Sequence, residues 1–413
     1  MALPMLVSRC QSLMRQQKED RAMQHQNTIF HELLKSIPRQ QFEKIVKRHD
    51  GDKYVRQLNC WTQMIALIYT QLQNKFSLRD VEAAMSSHAN LTYHLGAKDV
   101  RRSTLSVANA KRPAALFEDV FSLLLGKLQG GGGHKKTIKE MKDAVRLIDA
   151  TVIKLGMSSK EWAQFSDKYS CAKGHFVYDP DDNIPVYFAI TKGKTTDMKA
   201  ARNMPIEAGA TYVFDMGYYG FDWWAKLHDK GCRFVTRLKK STNGRVIETR
   251  RPKDENILYD RVIKIEKRLK GSRKNPLKDI ALREIGVVRD NGKILRFVTN
   301  DLEASAEEIS ELYKRRWAIE LFFKWIKQNL KIKKFLGTSE NAIRIQIITA
   351  MITYLLIKLA NNTLPNPFNM TRLTRLVSTN LMQRKKFKDL LKPPRKPPNP
   401  DWQKQQLKME FDK

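Results

Sequence analysis

The chain has 413 residues, and its 76 Lys and Arg against 43 Asp and Glu give a formal net charge of +33. A hydrophobic content of 42%, with 7 Trp and 18 Phe, is enough for a folded core and excludes a disordered chain. The length predicts two or three domains. Because such a charge excess repels itself unless a polyanion neutralises it, nucleic acid is the first partner to consider and an anionic membrane surface the second.

Cysteine spacing and apolar runs indicate the compartment. The four cysteines are far apart and form no CxxC pair, which argues against a disulfide framework and a structural zinc site and fits a reducing cytosol. The first ten residues lack the apolar run and cleavage site of a signal peptide. The most apolar segment, 343–360, contains Arg344, Gln346 and Lys358, so it predicts a buried helix rather than a membrane span. We therefore expect no membrane partner and a cytoplasmic, nucleoid-associated protein.

The region before residue 130 has a helical pattern throughout. An apolar face that starts at Trp61 predicts a helix ending near Asn74, and Ser77 with Asp80 predicts the capped start of a second. A third helix is expected after Arg101 and Arg102. Short helices with a basic helix start are typical of helix-turn-helix DNA readers, and a helical dimerisation bundle is the alternative.

We accordingly predict that residues 1–129 form an all-α DNA-binding domain. Its expected DNA contacts are basic residues in and before the third helix: Arg101, Arg102, Lys111 and Arg112. Four glycines begin at Gly130, and because they favour neither a helix nor a packed strand, residues 130–136 are predicted to be a linker.

After the glycines the pattern changes to short apolar runs. Strands are predicted over 144–153, 175–178, 186–191, 211–214 and 232–238, and helices over 198–204 and 221–228. Three antiparallel strands followed by helix-linked parallel strands is the order of a ribonuclease-H-like sheet. The predicted fold class is therefore α/β, a mixed sheet with flanking helices over 137–240 and 301–384. Residues 241–300 are predicted to be a β-rich insertion outside the core, and the Pro-rich residues 385–413 a basic tail.

Two aspartates stand where predicted strands end. Asp149 lies within the apolar stretch RLIDAT, and Asp215 directly follows Tyr212 to Phe214. A carboxylate in an apolar strand is costly unless a group such as a divalent cation neutralises it. Taken singly, each aspartate is better explained as part of a strand-end turn or a helix cap, so a metal site needs a third carboxylate.

The third carboxylate is predicted on a helix that starts at the capping box Ser305 to Glu308 and runs to about Leu330. Beside its apolar stripe, at about 100° per residue, four polar residues share one narrow band: Tyr313, Arg316, Glu320 and Lys327. An exposed helix with an i,i+4 ion pair between Arg316 and Glu320 is the alternative interpretation.

These four residues resemble a known signature. Their spacing matches without a gap the Y-R-E-K signature of bacterial insertion-sequence transposases with a DDE triad, the insertion-sequence-four family. Asp149-Ala-Thr resembles the first-aspartate motif of that family and Asp215-Met-Gly-Tyr the second. The segment 49–61 is similar to a helical domain that precedes the catalytic domain in one branch. Two stretches depart from the pattern: Lys173-Gly-His175 stands where Lys-Leu-His is usual, and Thr196-Asp197 where His-Asp is common.

The resemblance implies a catalytic and metal-binding triad of Asp149, Asp215 and Glu320 that holds two Mg²⁺ ions, with Mn²⁺ able to substitute. It implies that phosphate is contacted by the other signature residues and by the strand that follows the second aspartate: Tyr313, Arg316, Lys327, Arg237 and Lys239. Three tryptophans are candidate walls for an unstacked nucleotide, with core packing as the alternative for each: Trp223, Trp224 and Trp317.

The implied function is a transposase that binds terminal inverted repeats on double-stranded DNA and moves its element by cleavage, a hairpin and strand transfer. The resemblance also implies a homodimer that pairs two DNA ends. Two alternatives remain open at this point: a catalytically inactive DNA-binding regulator, and a ribonuclease-H-like nuclease acting on RNA–DNA hybrids.

Overall fold

A computed structural model describes residues 27–74, 77–130, 144–166, 169–266, 274–289 and 292–390. It has a mixed α/β architecture, as the sequence predicted, with an N-terminal helical region and one nine-stranded sheet. The predicted linker beyond Gly130 and the predicted tail beyond residue 390 lie outside the described residues.

The N-terminal region is helical, and local capping explains where its helices begin and end. Asn59 accepts the Thr62 N–H at 2.9 Å, and Asn74 ends the same helix in the left-handed conformation. Ser77 and Asp80 form the predicted capping box. The helices are α1 (Ile29–Leu34), α2 (Arg39–Arg48), α3 (Cys60–Gln73), α4 (Leu78–Ser87), α5 (Ala89–His94), α6 (Arg102–Lys111) and α7 (Ala114–Gly130).

The first five strands confirm the predicted order. They are β1 (Val145–Leu155), β2 (Ser170–Asp179), β3 (Ile184–Lys192), β4 (Thr211–Phe214) and β5 (Arg233–Arg237). β1 to β3 form an antiparallel meander, and β4 and β5 add in parallel beside β1. The short α8 (Lys160–Ala163) precedes β2, while α9 (Asp197–Ala201) and α10 (Phe221–Asp229) lead into the two parallel strands.

The segment 241–300 is β-rich as predicted, but its expected place outside the core was wrong. It forms β6 (Arg245–Arg250), β7 (Ile257–Lys264), β8 (Leu282–Val288) and β9 (Ile294–Thr299). β9 pairs antiparallel with β5, so these strands continue the same sheet in the order β3-β2-β1-β4-β5-β9-β8-β7-β6. Ile263, Ile285 and Val298 are consequently buried in the core.

The C-terminal helices join the two regions. They are α11 (Ala306–Arg315), α12 (Trp317–Asn329), α13 (Glu340–Asn362) and α14 (Met370–Asn380). α13 is the buried helix that the apolar segment predicted: it is long and apolar enough to cross a membrane, but most of it is covered by protein. It packs against α3, α6 and α7, so one continuous hydrophobic core links the N-terminal helices to the sheet.

Candidate active site

Two neighbouring parallel strands bring the two aspartates together. Ile148 of β1 is in register with Phe214 of β4, so the residue that follows each of them is an aspartate. Asp149 continues β1, whereas Asp215 leaves β4 and caps a short 3₁₀ turn, 216–218, by accepting the Gly217 N–H at 2.8 Å. The strand pairing alone therefore puts Asp149 and Asp215 at one edge of the sheet.

Glu320 reaches this edge from α12, which packs against β1. The predicted capping box of Ser305 and Glu308 begins α11, but the expectation of one helix to Leu330 was wrong, because the helix divides at Arg316. There the Arg316 N–H donates to the Tyr313 carbonyl, a bond between residues three apart that tightens the turn. Glu320 consequently lies in the first turn of α12.

Arg316 connects the carboxylates. Its Nη2 donates to Glu320 Oε1 at 2.6 Å, and its Nη1 lies 3.4 Å from Asp149 Oδ2. Its side chain is 16% exposed, so both contacts are largely shielded from water. The i,i+4 pair that the sequence allowed is present, but it is part of the site rather than of an exposed helix surface.

The electrostatics of Asp149 confirm that the three acids are neighbours. The pKa of Asp149 is raised to about 6, chiefly by burial; the negative charges of Asp215 and Glu320 act in the same direction, while the Ala150 N–H and Arg316 oppose it. The Ala150 N–H donates to Asp149 Oδ1 at 2.7 Å. Asp149 is therefore an acid that is largely withdrawn from water beside two other carboxylates, an arrangement that a bound cation would stabilise.

The donor set fits a divalent cation of the Mg²⁺ type, because such ions prefer carboxylate oxygens. Within the described part of the chain, no three His, Cys, Asp or Glu side chains are arranged to hold a metal ion as they stand. The Arg316 guanidinium lies between Asp149 and Glu320 and contacts both. Holding a cation there therefore requires that these acids exchange a contact with Arg316 for one with the ion.

The other residues that were predicted to contact phosphate differ in their burial and in their contacts. Tyr313 is buried with its ring against Phe297, and its hydroxyl faces Arg316 and Arg237, which lower its pKa against the larger effect of burial. The Lys239 ammonium lies 4.3 Å above the Tyr219 ring. Lys327 is half-buried, and burial together with Lys333 lowers its pKa.

The N-terminal predictions divide into exposed and buried residues. Arg112 was predicted to contact DNA, but it is buried, and its guanidinium donates to Gln63, Asp52 and the Gly51 and Leu58 carbonyls. Because these contacts hold the loop 51–58 against α3, we correct its role to a structural one. Arg101, Arg102 and Lys111 are exposed.

Of the three candidate tryptophans, two are buried and one is exposed. Trp223 and Trp224 are buried in the core beside Phe214, so core packing is the correct interpretation for both. Trp317 is 58% exposed. It lines a cleft of about 590 Å³ between β7–β9 and α11, together with Tyr313 and Arg316.

A second cleft, which the sequence did not reveal, lies in the helical region. It measures about 610 Å³ between the loop 50–58 and α6. We call it the basic cleft; its exposed basic and aromatic lining residues are Lys53, Tyr54, Arg56 and Lys111. Asp50 also lines the basic cleft, and its Oδ2 lies 3.9 Å from Lys53 Nζ. A run of HDGDKYVR gives no periodic signal, so only the fold brings it against α6.

Comparisons with known proteins agree with this fold. Residues 140–356 match the transposase DDE domain, and residues 25–98 match a domain of unknown function, DUF4372. A Sinorhizobium fredii protein named as a transposase, y4zB, is 38% identical over 72% of this chain and 81% of its own length. A Geobacillus stearothermophilus protein named as a transposase of the insertion sequence IS5377 is 26% identical over 62% of this chain and 66% of its own length.

This chain is also similar to a third curated relative and to one solved structure. A Synechocystis protein named as a transposase of the insertion sequence IS4SA is 27% identical over 64% of this chain and 73% of its own length. The piggyBac transposase in a synaptic complex with hairpin DNA aligns over 92% of this chain and 83% of that one, with 10% identity and a TM-score of 0.37.

The mixed nine-stranded sheet, together with the family match over 140–356, gives this part of the chain the ribonuclease-H-like fold of a DDE transposase domain. The chain belongs to the DDE transposase family, and two of these relatives are named as transposases of insertion sequences, as the Y-R-E-K resemblance predicted. It is therefore an enzyme that cleaves DNA and transfers strands, and such enzymes use divalent metal ions.

Proposed function

We propose that this enzyme binds the terminal inverted repeats of its own insertion sequence and cuts them with Mg²⁺ held by Asp149, Asp215 and Glu320. The observation that carries the proposal is that these acids, from two strands and a helix, share one edge of the sheet with Arg316 between them. When bound there, Mg²⁺ supplies Lewis-acid stabilisation of charge on phosphate oxygens. Mn²⁺ has similar ligand preferences and is expected to substitute.

The proposed chemistry needs no covalent enzyme intermediate. A water molecule attacks the phosphorus at the end of the element, the P–O3′ bond breaks, and a 3′-hydroxyl and a 5′-phosphate result. The freed 3′-hydroxyl then attacks a phosphodiester of the opposite strand, which releases the flanking DNA and closes a hairpin. Each transesterification exchanges one P–O bond for another, so it requires no energy source. Reopening the hairpin and attacking the target repeat the same two reactions.

Arg316 and its neighbours are proposed to hold the DNA. A guanidinium offers a planar pair of donors that matches a phosphate, whereas Lys327 acts as a point charge. Tyr313, Arg237 and Lys239 are proposed to contact the backbone near the cut. Exposed Trp317, in the cleft beside Arg316, is the one of the three candidate tryptophans that is still placed to stack on an unpaired base.

We propose that the basic cleft and the start of α6 bind the terminal repeat. Lys53, Arg56 and Lys111 supply positive charge, and Tyr54, which is 93% exposed, supplies an aromatic surface. Such a surface suits a nucleic acid because phosphates pair with the cations while bases or sugars pack on the ring. Arg101 and Arg102 extend the basic surface along α6. We place the enzyme in the cytoplasm with the nucleoid DNA on which it acts.

The catalytic assignment is tested with Glu320→Gln, which keeps the side-chain shape and removes its charge. We expect the variant to bind a labelled duplex carrying the terminal repeat with unchanged affinity but to lose Mg²⁺-dependent cleavage. Glu311→Gln is the matched control, because Glu311 is an exposed acid on α11 that pairs with Lys314 at 3.3 Å. Cleavage by Glu320→Gln at a rate near that of the wild type would contradict the assignment.

We further propose that the active form is a homodimer that holds two DNA ends and cuts in trans. A free chain with a charge of +33 resists self-association, and DNA phosphates remove that repulsion. The test mixes Asp149→Asn with a variant carrying Lys53→Glu and Arg56→Glu, each inactive alone. Deleting residues 1–129 is not a suitable partner variant, because α13 packs against α3, α6 and α7. Restored cleavage indicates action in trans, and persistent inactivity of confirmed mixed dimers indicates action in cis.

A further inference from the structure

A fourth carboxylate lies behind Asp215. Asp197 is the first residue of α9, which packs against the turn 216–218 that Asp215 caps. Gly217 separates the two acids: a Cβ placed on Gly217 would come within 2.9 Å of Asp197 Oδ2 and within 2.9 Å of Asp215 Oδ1. The two carboxylates therefore face each other across a residue that has no side chain to separate them.

Lys173 neutralises this fourth carboxylate. Its Nζ donates to Asp197 Oδ1 at 3.0 Å, and both side chains are largely buried, with 18% and 26% exposure. His175 Nδ1 lies 3.7 Å from the same oxygen, but burial lowers the pKa of His175 to about 4, so this ring is neutral near pH 7. Lys173 is therefore the cation that balances Asp197.

The pair approaches Asp215 from the face of the sheet opposite to Glu320. Asp149 is in register with Phe176 and shares its face, on which α12 packs, whereas Lys173 and His175 alternate to the other face. On that other face the Tyr218 hydroxyl is buried, has no hydrogen-bond partner among the residues described, and is electrostatically coupled to Asp197, Asp149 and Asp215. A polar group without a partner is costly to bury, so its place beside these acids points to a function.

We propose that Asp197 is a positioning residue for Asp215, with Lys173 as its counter-ion. Asp197 binds the Lys173 ammonium, which would otherwise pair with Asp215 and draw it toward α9. Asp215 is thereby left free to face Asp149 and Glu320, where a metal ion would be held. This inference rests on the proposed role of Asp215 as a metal ligand.

Removing the charge of Asp197 should weaken Mn²⁺ binding, and removing the charge of Lys173 as well should restore it. Asp197→Asn frees Lys173 to pair with Asp215, so Mn²⁺ has to compete with an ammonium for that carboxylate. Partners of metal ligands that are not ligands themselves commonly contribute about 10–100-fold to metal affinity or activity. The Lys173→Met/Asp197→Asn double variant removes the competing cation as well, so it should recover most of the lost affinity. A merely structural ion pair predicts no such recovery.

The experiment measures Mn²⁺ binding to the full-length protein without DNA, by the EPR signal of the free ion, and then cleavage of the terminal repeat. Asp197→Asn should bind Mn²⁺ about 10–100-fold more weakly and need correspondingly more Mg²⁺ for half-maximal cleavage. Asp119→Asn is the matched control, since Asp119 on α7 also pairs with a cation and a histidine, Arg48 and His49, each at 2.8 Å. Unchanged Mn²⁺ affinity in Asp197→Asn overturns the proposal, and so does a double variant no better than the single one.

A second variant keeps the test decisive if Asp197→Asn does not fold. Gly217→Ala places a methyl group against both carboxylates and should weaken Mn²⁺ binding, whereas Gly126→Ala adds a methyl group in open space on α7. Equal Mn²⁺ affinities of the two alanine variants would overturn the proposal. Asp215→Asn separates the two hypotheses: if it binds Mn²⁺ as the wild type does, then the metal assignment under the proposed function fails.

Discussion

Replacing Arg316 should separate metal binding from catalysis. In the free enzyme Arg316 contacts Glu320 at 2.6 Å and Asp149 at 3.4 Å, so a cation that binds these acids must displace a guanidinium. Arg316→Met removes that competitor and keeps an unbranched side chain of similar length. We therefore expect the variant to bind Mn²⁺ more tightly than the wild type, although it loses the proposed phosphate clamp and cleaves more slowly.

The magnitude follows from the shorter of the two contacts. A hydrogen bond to a charged group contributes about 1.5–3 kcal/mol, and the bond to Glu320 has the length of a strong one, while the contact with Asp149 is too long to count fully. Since about 1.4 kcal/mol corresponds to a factor of ten, Mn²⁺ affinity should rise by about 10–100-fold. The same loss should lower the free energy of unfolding in EDTA by a similar amount, and added Mn²⁺ should restore it.

The assay titrates Mn²⁺ into the metal-free protein and follows the EPR signal, with cleavage of the terminal repeat measured on the same preparations. Arg315→Met is the control, because Arg315 precedes Arg316 in the chain but pairs with Asp181, which is not one of the three proposed metal ligands. An Arg316→Met protein that binds Mn²⁺ no better than the Arg315→Met protein would refute the exchange between guanidinium and metal. Full cleavage activity in Arg316→Met would refute the clamp.

Three further predictions concern separate parts of the molecule. Because the pKa of Asp149 is raised from 3.8 to about 6, the stability that its protonated form contributes is present below about pH 4 and is lost as the pH rises through 6. In EDTA, the free energy of unfolding of Asp149→Asn should therefore exceed that of the wild type by about 3 kcal/mol at pH 7 and match it at pH 3.5, as measured by urea titration. Trp317→Ala should leave cleavage of the first strand unchanged and slow hairpin formation, and Trp317→Phe should restore it, with denaturing gels to resolve the products. Lys53→Gln with Arg56→Gln should reduce the slope of log affinity against log salt by about 2 for the terminal repeat, and an unchanged slope would place the repeat elsewhere.

The sequence predicted those features that depend on neighbours along the chain. Both capping boxes, at Ser77 and Ser305, appear where predicted because each is complete within four residues. β4 has the predicted bounds, Thr211–Phe214, because its apolar run ends abruptly at Asp215. The proposed triad came from the resemblance to the Y-R-E-K signature, which the local pattern alone left undecided, and its catalytic role stays a prediction.

The features that were missed depend on contacts between distant segments. Nothing around Arg112 distinguishes it from an exposed arginine, because its acceptors come from the loop 51–58 and from Gln63, which only the fold places beside it. The pairing of β5 with β9 joins strands that are separated along the chain by residues 238–293. Asp197 was noted only as a departure from a family pattern, because its relation to Asp215 is created by the packing of α9.

Ion pairs neutralise the acids of the site in the free enzyme, before a metal ion or DNA binds. Asp149 and Glu320 share Arg316, and Asp197 holds Lys173, so these acids are compensated from both faces of the sheet before any ligand arrives. Binding of a divalent cation to Asp149 and Glu320 would free the Arg316 guanidinium at the mouth of the cleft where DNA is proposed to lie, and a phosphate would be its natural partner there. We therefore expect metal binding and DNA binding to favour each other, because each would remove the charge that the other leaves uncompensated.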